Sequence, residues 1–185
     1  MANAIARDRY DPLAQLLHWV VAVLIVVQFV LAERAEELPT GLDKLAVLAQ
    51  HKSFGITILA LAIVRLAWRF VSPPPPLPAG MRPLQRVAAQ VSHGAMYFLL
   101  FAIPIAGWAM SSAANYPVSW FGLVQLPDFV APSEALHEAL EEAHEAMGQV
   151  LFVLALLHVA AACKHHFFDK DGLLWRMVPW RGQRP

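Results

Sequence analysis

Histidine is the side chain best suited to hold a metal ion or pass a proton near neutral pH, because its ring titrates at about 6.5 and either nitrogen can bind a metal. Eight histidines stand among 185 residues that are 58% hydrophobic and 15% charged. Four of them, His18, His51, His144 and His158, share a pattern. His144 and His158 are fourteen residues apart, which on an α-helix brings them to within about 40° of one stripe and separates them by about 21 Å. The position four residues after each is small: Ala22, Gly55, Gly148 and Ala162. A helical side chain leans back over the preceding turn, so a small residue there leaves room beside the imidazole for a flat ligand. After His93 and His137 the same position holds Tyr97 and Glu141, which leave less room.

The elements that must position these rings are membrane helices. A bilayer core about 30 Å thick takes around 20 apolar residues as a helix, and four such runs occur, at about 13–32, 45–71, 84–114 and 135–165. The second is densest from Phe54 to Val71 and the fourth from Ala146 to Cys163. Pro104 and Gly107 predict a kink in the third. The tract Ser72-Pro-Pro-Pro-Pro-Leu-Pro78 cannot be helical, since proline lacks a donor and restricts the residue before it. Residues 115–133 are rich in proline and aromatics, with Trp120 and Phe121 suited to the headgroup level. A signal peptide has a short apolar core and a small-residue cleavage site, whereas the first run is a full span followed by Glu33 and Arg34 and is expected to stay. The expected fold class is all-α, a transmembrane four-helix bundle, with residues 1–185 as a single membrane domain.

Fourteen basic residues balance fourteen acidic ones, so the electrostatic footprint of a nucleic-acid binder is missing. The single cysteine, Cys163, allows no internal disulfide, and no Cys-x-x-Cys-His run exists for thioether attachment of haem. The balance conceals an asymmetry. In a four-span arrangement one side collects Arg7, Arg9, Arg65, Arg69, Arg82, Arg86, Lys164, Lys170, Arg176, Arg181 and Arg184, and the other has Arg34, Lys44 and Lys52. The positive-inside rule then makes both termini cytoplasmic. The opposite side carries ten of the fourteen acids.

In that orientation His18 and His158 lie at one level near the inner face, and His51 and His144 at another near the outer face. Two levels with two imidazoles each match what two axially ligated haem irons need. A lone intramembrane histidine often just bridges helices, but depth-matched pairs argue for a functional site. Zinc is the competing metal, and His137, Glu141, His144 and Glu145 form a cluster at helical spacing on the outer side, where a solvated acidic face is the simpler account. His165 and His166, beside Lys164, are interfacial residues near the inner level that could serve a quinone or a proton path.

The ordered motifs resemble the bacterial cytochrome b561 family, which includes superoxide oxidase. They are Arg9-Tyr-Asp-Pro-Leu-Ala-Gln-Leu-Leu-His-Trp19, His51-Lys-Ser-Phe-Gly55, Val64-Arg-Leu66, Ser92-His-Gly-Ala-Met-Tyr97, Ala102-Ile-Pro-Ile-Ala-Gly107, His144-Glu-Ala-Met-Gly148, Leu157-His-Val-Ala-Ala-Ala162 and Lys164-His-His-Phe-Phe168, leading to Leu173 through Pro179. The resemblance implies a bacterial inner-membrane bundle holding two noncovalent b haems between its helices, the outer on His51 and His144 and the inner on His18 and His158. His93 matches a recurrent family histidine, expected either to hydrogen-bond a haem propionate or a quinone or to bridge helices, while Arg65 and Arg69, at the inner end of the second helix, either pair with propionates or snorkel to the interface. The implied activity is that of an electron carrier or oxidoreductase in the lipid bilayer, working between a periplasmic donor, superoxide included, and quinone as acceptor. Two alternatives stay open: a cytochrome b anchor for a hydrogenase- or dehydrogenase-type partner, and a haemless histidine-containing metal binder or carrier.

Overall fold

The computed structural model describes residues 8–78 and 80–179; Arg7, Arg181 and Arg184, counted above on the inner side, lie outside the described residues. Four long helices alternate in direction: α1 (Pro12–Glu37), α2 (Leu42–Val71), α3 (Pro83–Ala113) and α4 (Glu134–Lys164). Each is long and apolar enough to cross a membrane, and the architecture is a transmembrane four-helix bundle. Several helices outrun their apolar stretch. α1 continues through Glu33 to Glu37, and α4 begins at Glu134 behind the Ser133 cap, twelve residues before the dense apolar stretch that starts at Ala146. Acidic side chains are favourable in the first turn of α4 because they face the positive end of its dipole. α3 continues unbroken through Pro104.

Packing divides the bundle into two pairs. α1 lies along α2 and α3 along α4, and α2 joins the pairs by contacting α3. α4 makes few close main-chain approaches to α1 or α2. Val21, Ile58, Ala62 and Leu100 form the buried core where α1, α2 and α3 meet. Large apolar side chains such as Val23, Val26, Phe98 and Leu157 are exposed around the bundle. Lipid tails are as apolar as these side chains, so nothing drives them inward.

The first and last described segments meet at one end, where they are knitted together. Tyr10 N–H donates to the Arg176 carbonyl at 3.2 Å, the Gln15 amide donates to the carbonyls of Tyr10 and Arg176, each at 3.0 Å, and Trp19 Nε1 donates to the Met177 carbonyl at 2.8 Å. Asp11 caps α1 by accepting from the N–H groups of Leu13 and Ala14, and its carboxylate also accepts from Trp68 Nε1 at 2.9 Å and Ser72 Oγ at 2.7 Å on α2. Burial pushes the Asp11 carboxyl up, but these hydrogen bonds outweigh it and hold it below the usual carboxylate value.

At the opposite end the connection between α3 and α4 is a short hairpin of β1 (Ser119–Trp120) and β2 (Val124–Gln125). Phe121 and Gly122 both take positive φ, 49° and 73°, as a type I′ turn requires. Glycine accepts that geometry freely, whereas Phe121 is held there by its surroundings. Its N–H donates to Ser53 Oγ at 3.0 Å, and Trp120 Nε1 donates to Thr57 Oγ1 at 3.0 Å, so the hairpin is pinned to α2.

Candidate functional site

The histidines meet across the gaps beside α4, at two levels. His51 on α2 and His144 on α4 have ring centroids 6.1 Å apart, and His18 on α1 and His158 on α4 repeat the same 6.1 Å. Two imidazoles that bind one metal ion from opposite sides, each nitrogen about 2 Å from it, place their centroids about 6 Å apart. The gaps next to α4 therefore coincide with two positions of ligand-pair geometry. Leu151, buried and midway along α4 between His144 and His158, separates the levels.

The hairpin-end level surrounds a cavity of about 550 Å³ lined by Gln28, His51, Gly55, Gly107, His144 and Gly148 among others, within the size range of small-molecule and cofactor pockets. His144 Nδ1 lies 3.0 Å from the Ile103 carbonyl. A carbonyl only accepts, so the ring proton sits on Nδ1 and the Nε2 lone pair is left for a ligand. α3 can come this close only because residue 107 is glycine: a Cβ there would stand 3.0 Å from His144 Cε1. A Cβ at Gly148 would meet nothing within 4 Å, but one at Gly55 would meet the Gln28 amide nitrogen at 3.2 Å. The space expected beside Gly55 is thus taken by a side chain from α1. His51 Nδ1 and Gln28 Oε1 are both buried without a hydrogen-bond partner, and such a group costs about 1–3 kcal/mol. Glu33, Glu36, Glu141 and Glu145 line the same cavity with Lys44 and Lys52. The Lys52 ammonium stands over the Tyr116 ring, 5.6 Å from its centroid.

The terminal-end level differs in its company. A third histidine, His93 on α3, has its centroid 5.5 Å from that of His158. Arg65 donates to the Tyr97 hydroxyl at 3.0 Å and to the Ala14 carbonyl at 3.3 Å, and lies 3.4 Å from His18 Nδ1. Arg65 and Arg69 both stand over the Tyr97 ring. Tyr97, expected to crowd His93, packs against these two arginines instead.

The outer cluster weighed for zinc does not converge. His137 Nδ1 faces the Met110 carbonyl at 3.3 Å, its Nε2 is 3.9 Å from Glu141, and His144 is turned to Ile103. Among the described residues the histidine and acids that do converge are His165, Asp169 and Asp171. His165 Nδ1 is 2.6 Å from Asp171 and 3.1 Å from Asp169, and Lys164 Nζ is 2.5 Å from Asp169. Those carboxylates already have cationic or donor partners.

A model of the prokaryotic cytochrome b561 family matches residues 9–180. The chain belongs to that family. It is 34% identical to Cytochrome b561 homolog 2 of Escherichia coli (strain K12), over 92% of each chain. It is 26% identical to Cytochrome b561 homolog 1 of the same organism, over 94% of this chain and 99% of the relative. A third relative, named Probable superoxide oxidase CybB, from Yersinia pestis, is 29% identical over 92% of this chain and 96% of its own. Family membership makes this protein an electron-transferring membrane cytochrome b and implies haem b. The residues fit that group: facing imidazoles, a Nδ1 proton fixed by a carbonyl, and an open slot beside Gly148.

Two contributors to this site went unseen in the sequence. Gln28 stands as a polar residue inside the apolar run 13–32, and a polar group within a span is itself a signal of function. The Ile103 carbonyl carries no side-chain signature at all.

Proposed function

We propose that this cytochrome holds two b haems, one between His51 and His144 and the other between His18 and His158, and conducts electrons from a periplasmic donor to a quinone in the inner membrane. The observation that carries this reading is the repeated 6.1 Å separation of facing imidazoles at two levels. Bound haem iron supplies one-electron chemistry, cycling between ferric and ferrous states. The chain's own residues set the direction. Four glutamates and two lysines line the hairpin-end cavity, and this negative surplus disfavours an added electron there. Arg65 and Arg69 beside His18 and His93 favour an added electron at the terminal end. Transfer from the hairpin end to the terminal end is therefore downhill. With eight of the eleven basic residues among the described ones at the terminal end, that end faces the cytoplasm. Arg65, Arg69 and His93 form the polar patch where haem propionates and a quinone carbonyl would find donors.

A second reading names superoxide as the donor, on the strength of the relative from Yersinia pestis. The acidic cavity mouth opposes long-range attraction of an anion, so Lys52 supplies the local positive charge. Quinone-dependent superoxide decay should then run below the diffusion limit, rise with ionic strength as repulsion is screened, and fall in Lys52→Glu. Acceleration at low salt would reverse the sign of the outer field, and no quinone-dependent decay would remove superoxide as donor. The parent reading is tested by a pyridine haemochrome assay on the purified protein, expected to give two haems per chain, with reduced-minus-oxidised spectra showing α bands bleached by an added quinone. A ratio near one removes one level.

A further inference from the structure

The hairpin-end cavity holds an unmatched donor and an unmatched acceptor. His144 has a fixed orienting partner in the Ile103 carbonyl, but His51, which faces it, has a buried Nδ1 with no hydrogen bond. A ring whose Nε2 is offered to a metal must carry its proton on Nδ1, and that proton needs an acceptor. Gln28 lines the same cavity from α1, and its side-chain carbonyl oxygen is likewise buried and unpartnered. The Gln28 amide rests on Gly55, 3.2 Å from where a Cβ would stand, one helical turn along α2 from His51. Any larger residue at position 55 would push that amide away. The side-chain oxygen of Gln28, in the lipid-spanning part of α1, has no partner among the described residues, and the Gln28 main-chain carbonyl approaches the His51 ring without bonding Nδ1.

We infer that Gln28 is the positioning residue of the hairpin-end site: its side-chain oxygen, unpaired in the structure, turns to accept the His51 Nδ1 proton when that ring binds iron, and so fixes the ring's tautomer and raises its donor strength. The inference rests on the proposed role of His51 as an axial ligand. A ligand imidazole whose N–H is bonded to an acceptor is a stronger donor and stabilises the ferric state. Removing the acceptor must therefore raise the midpoint potential of that haem, and a stronger acceptor must lower it or leave it at the wild-type value.

The test is a redox titration of the purified holoprotein with Gln28→Leu and Gln28→Glu, read on the spectral component that His144→Ala removes, together with the low-spin ferric EPR signal of that haem. Gln28→Leu is expected to raise the potential, change the g values, and release this haem about tenfold faster into an acceptor protein. Gln28→Glu keeps an oxygen in place and is expected to hold the potential at or below wild type. The terminal-end haem should not move in either variant. Should Gln28→Leu fail to accumulate, Gln28→Asn, which withdraws the oxygen by one carbon, takes its place with the same expected direction. An unchanged potential and EPR signal with both haems retained would overturn the inference and make the Gln28 main-chain carbonyl the partner. So would equal shifts in the same direction for the leucine and glutamate variants. Failure of the parent reading is a different result: a wild-type protein with fewer than two haems, or His51→Ala retaining the hairpin-end component.

Discussion

The two histidine levels share one spacing and differ in everything around it. At the hairpin end, two imidazoles face each other across a roomy cavity, one of them locked by a main-chain carbonyl, with glutamates at the mouth. At the terminal end, three imidazoles crowd together under two guanidinium groups and a tyrosine. The separation of the facing rings is common to both levels, so both offer the same ligand spacing. Electron affinity follows from the surrounding charge, and there the levels diverge. Under the proposed function, equal ligation and an unequal field would together bias electron transfer one way across the bilayer.

The comparison breaks most visibly if ligation is not equal. His51→Ala and His144→Ala are each expected to remove the hairpin-end haem completely, halving the haemochrome ratio, while His18→Ala and His158→Ala remove the other. His93→Ala should keep both haems, since the separation repeated at the two levels belongs to the His18 pair and not to His93. Loss of a haem in His93→Ala with retention in His18→Ala would exchange their roles at the terminal end.

Next in size is a substitution that acts through space alone. Gly107→Val puts a branched side chain where even a Cβ would stand 3.0 Å from His144. The ring must leave its bond to Ile103, and haem retention at that level should fall about 10–100-fold. The terminal-end haem serves as the internal control in the same spectrum.

The unequal field is tested by Arg65→Gln. Removing one unit of positive charge a few ångströms from the site should lower the terminal-end potential by roughly 1–2 kcal/mol, about 40–90 mV for one electron, without loss of haem. An upward shift would contradict the direction of transfer proposed here.

The smallest effect concerns what holds the terminal end together. Asp11→Ala loses the α1 cap and the bridge to Trp68 and Ser72, and should cost about 1–2 kcal/mol of stability, seen as a lower melting temperature in detergent. Because the folded-state pKa of Asp11 is depressed, its contribution is fully present above the unfolded value of about 3.9 and is lost as pH falls through the folded one. The difference between wild type and Asp11→Ala should therefore narrow below about pH 4.

Much of this molecule is written locally. Whether a stretch spans the membrane depends on its own length and apolarity, and the fourteen-residue spacing of His144 and His158 needs only the pitch of a helix. The basic bias of one end and the acidic bias of the other are likewise properties of composition. Which rings meet is another matter, because it depends on how each helix is rotated about its axis and how closely its neighbours approach. Both His18 and His93 reach His158, and only the bundle gives them different distances. The small residue at position 55 looked like space for a cofactor, yet α1 brings Gln28 into it. Glycine at 107 looked like part of a kink, yet its use is to let His144 reach a carbonyl on α3. These are contacts between residues far apart in the chain, made by main-chain atoms and by helix rotation, and no periodicity or motif encodes either.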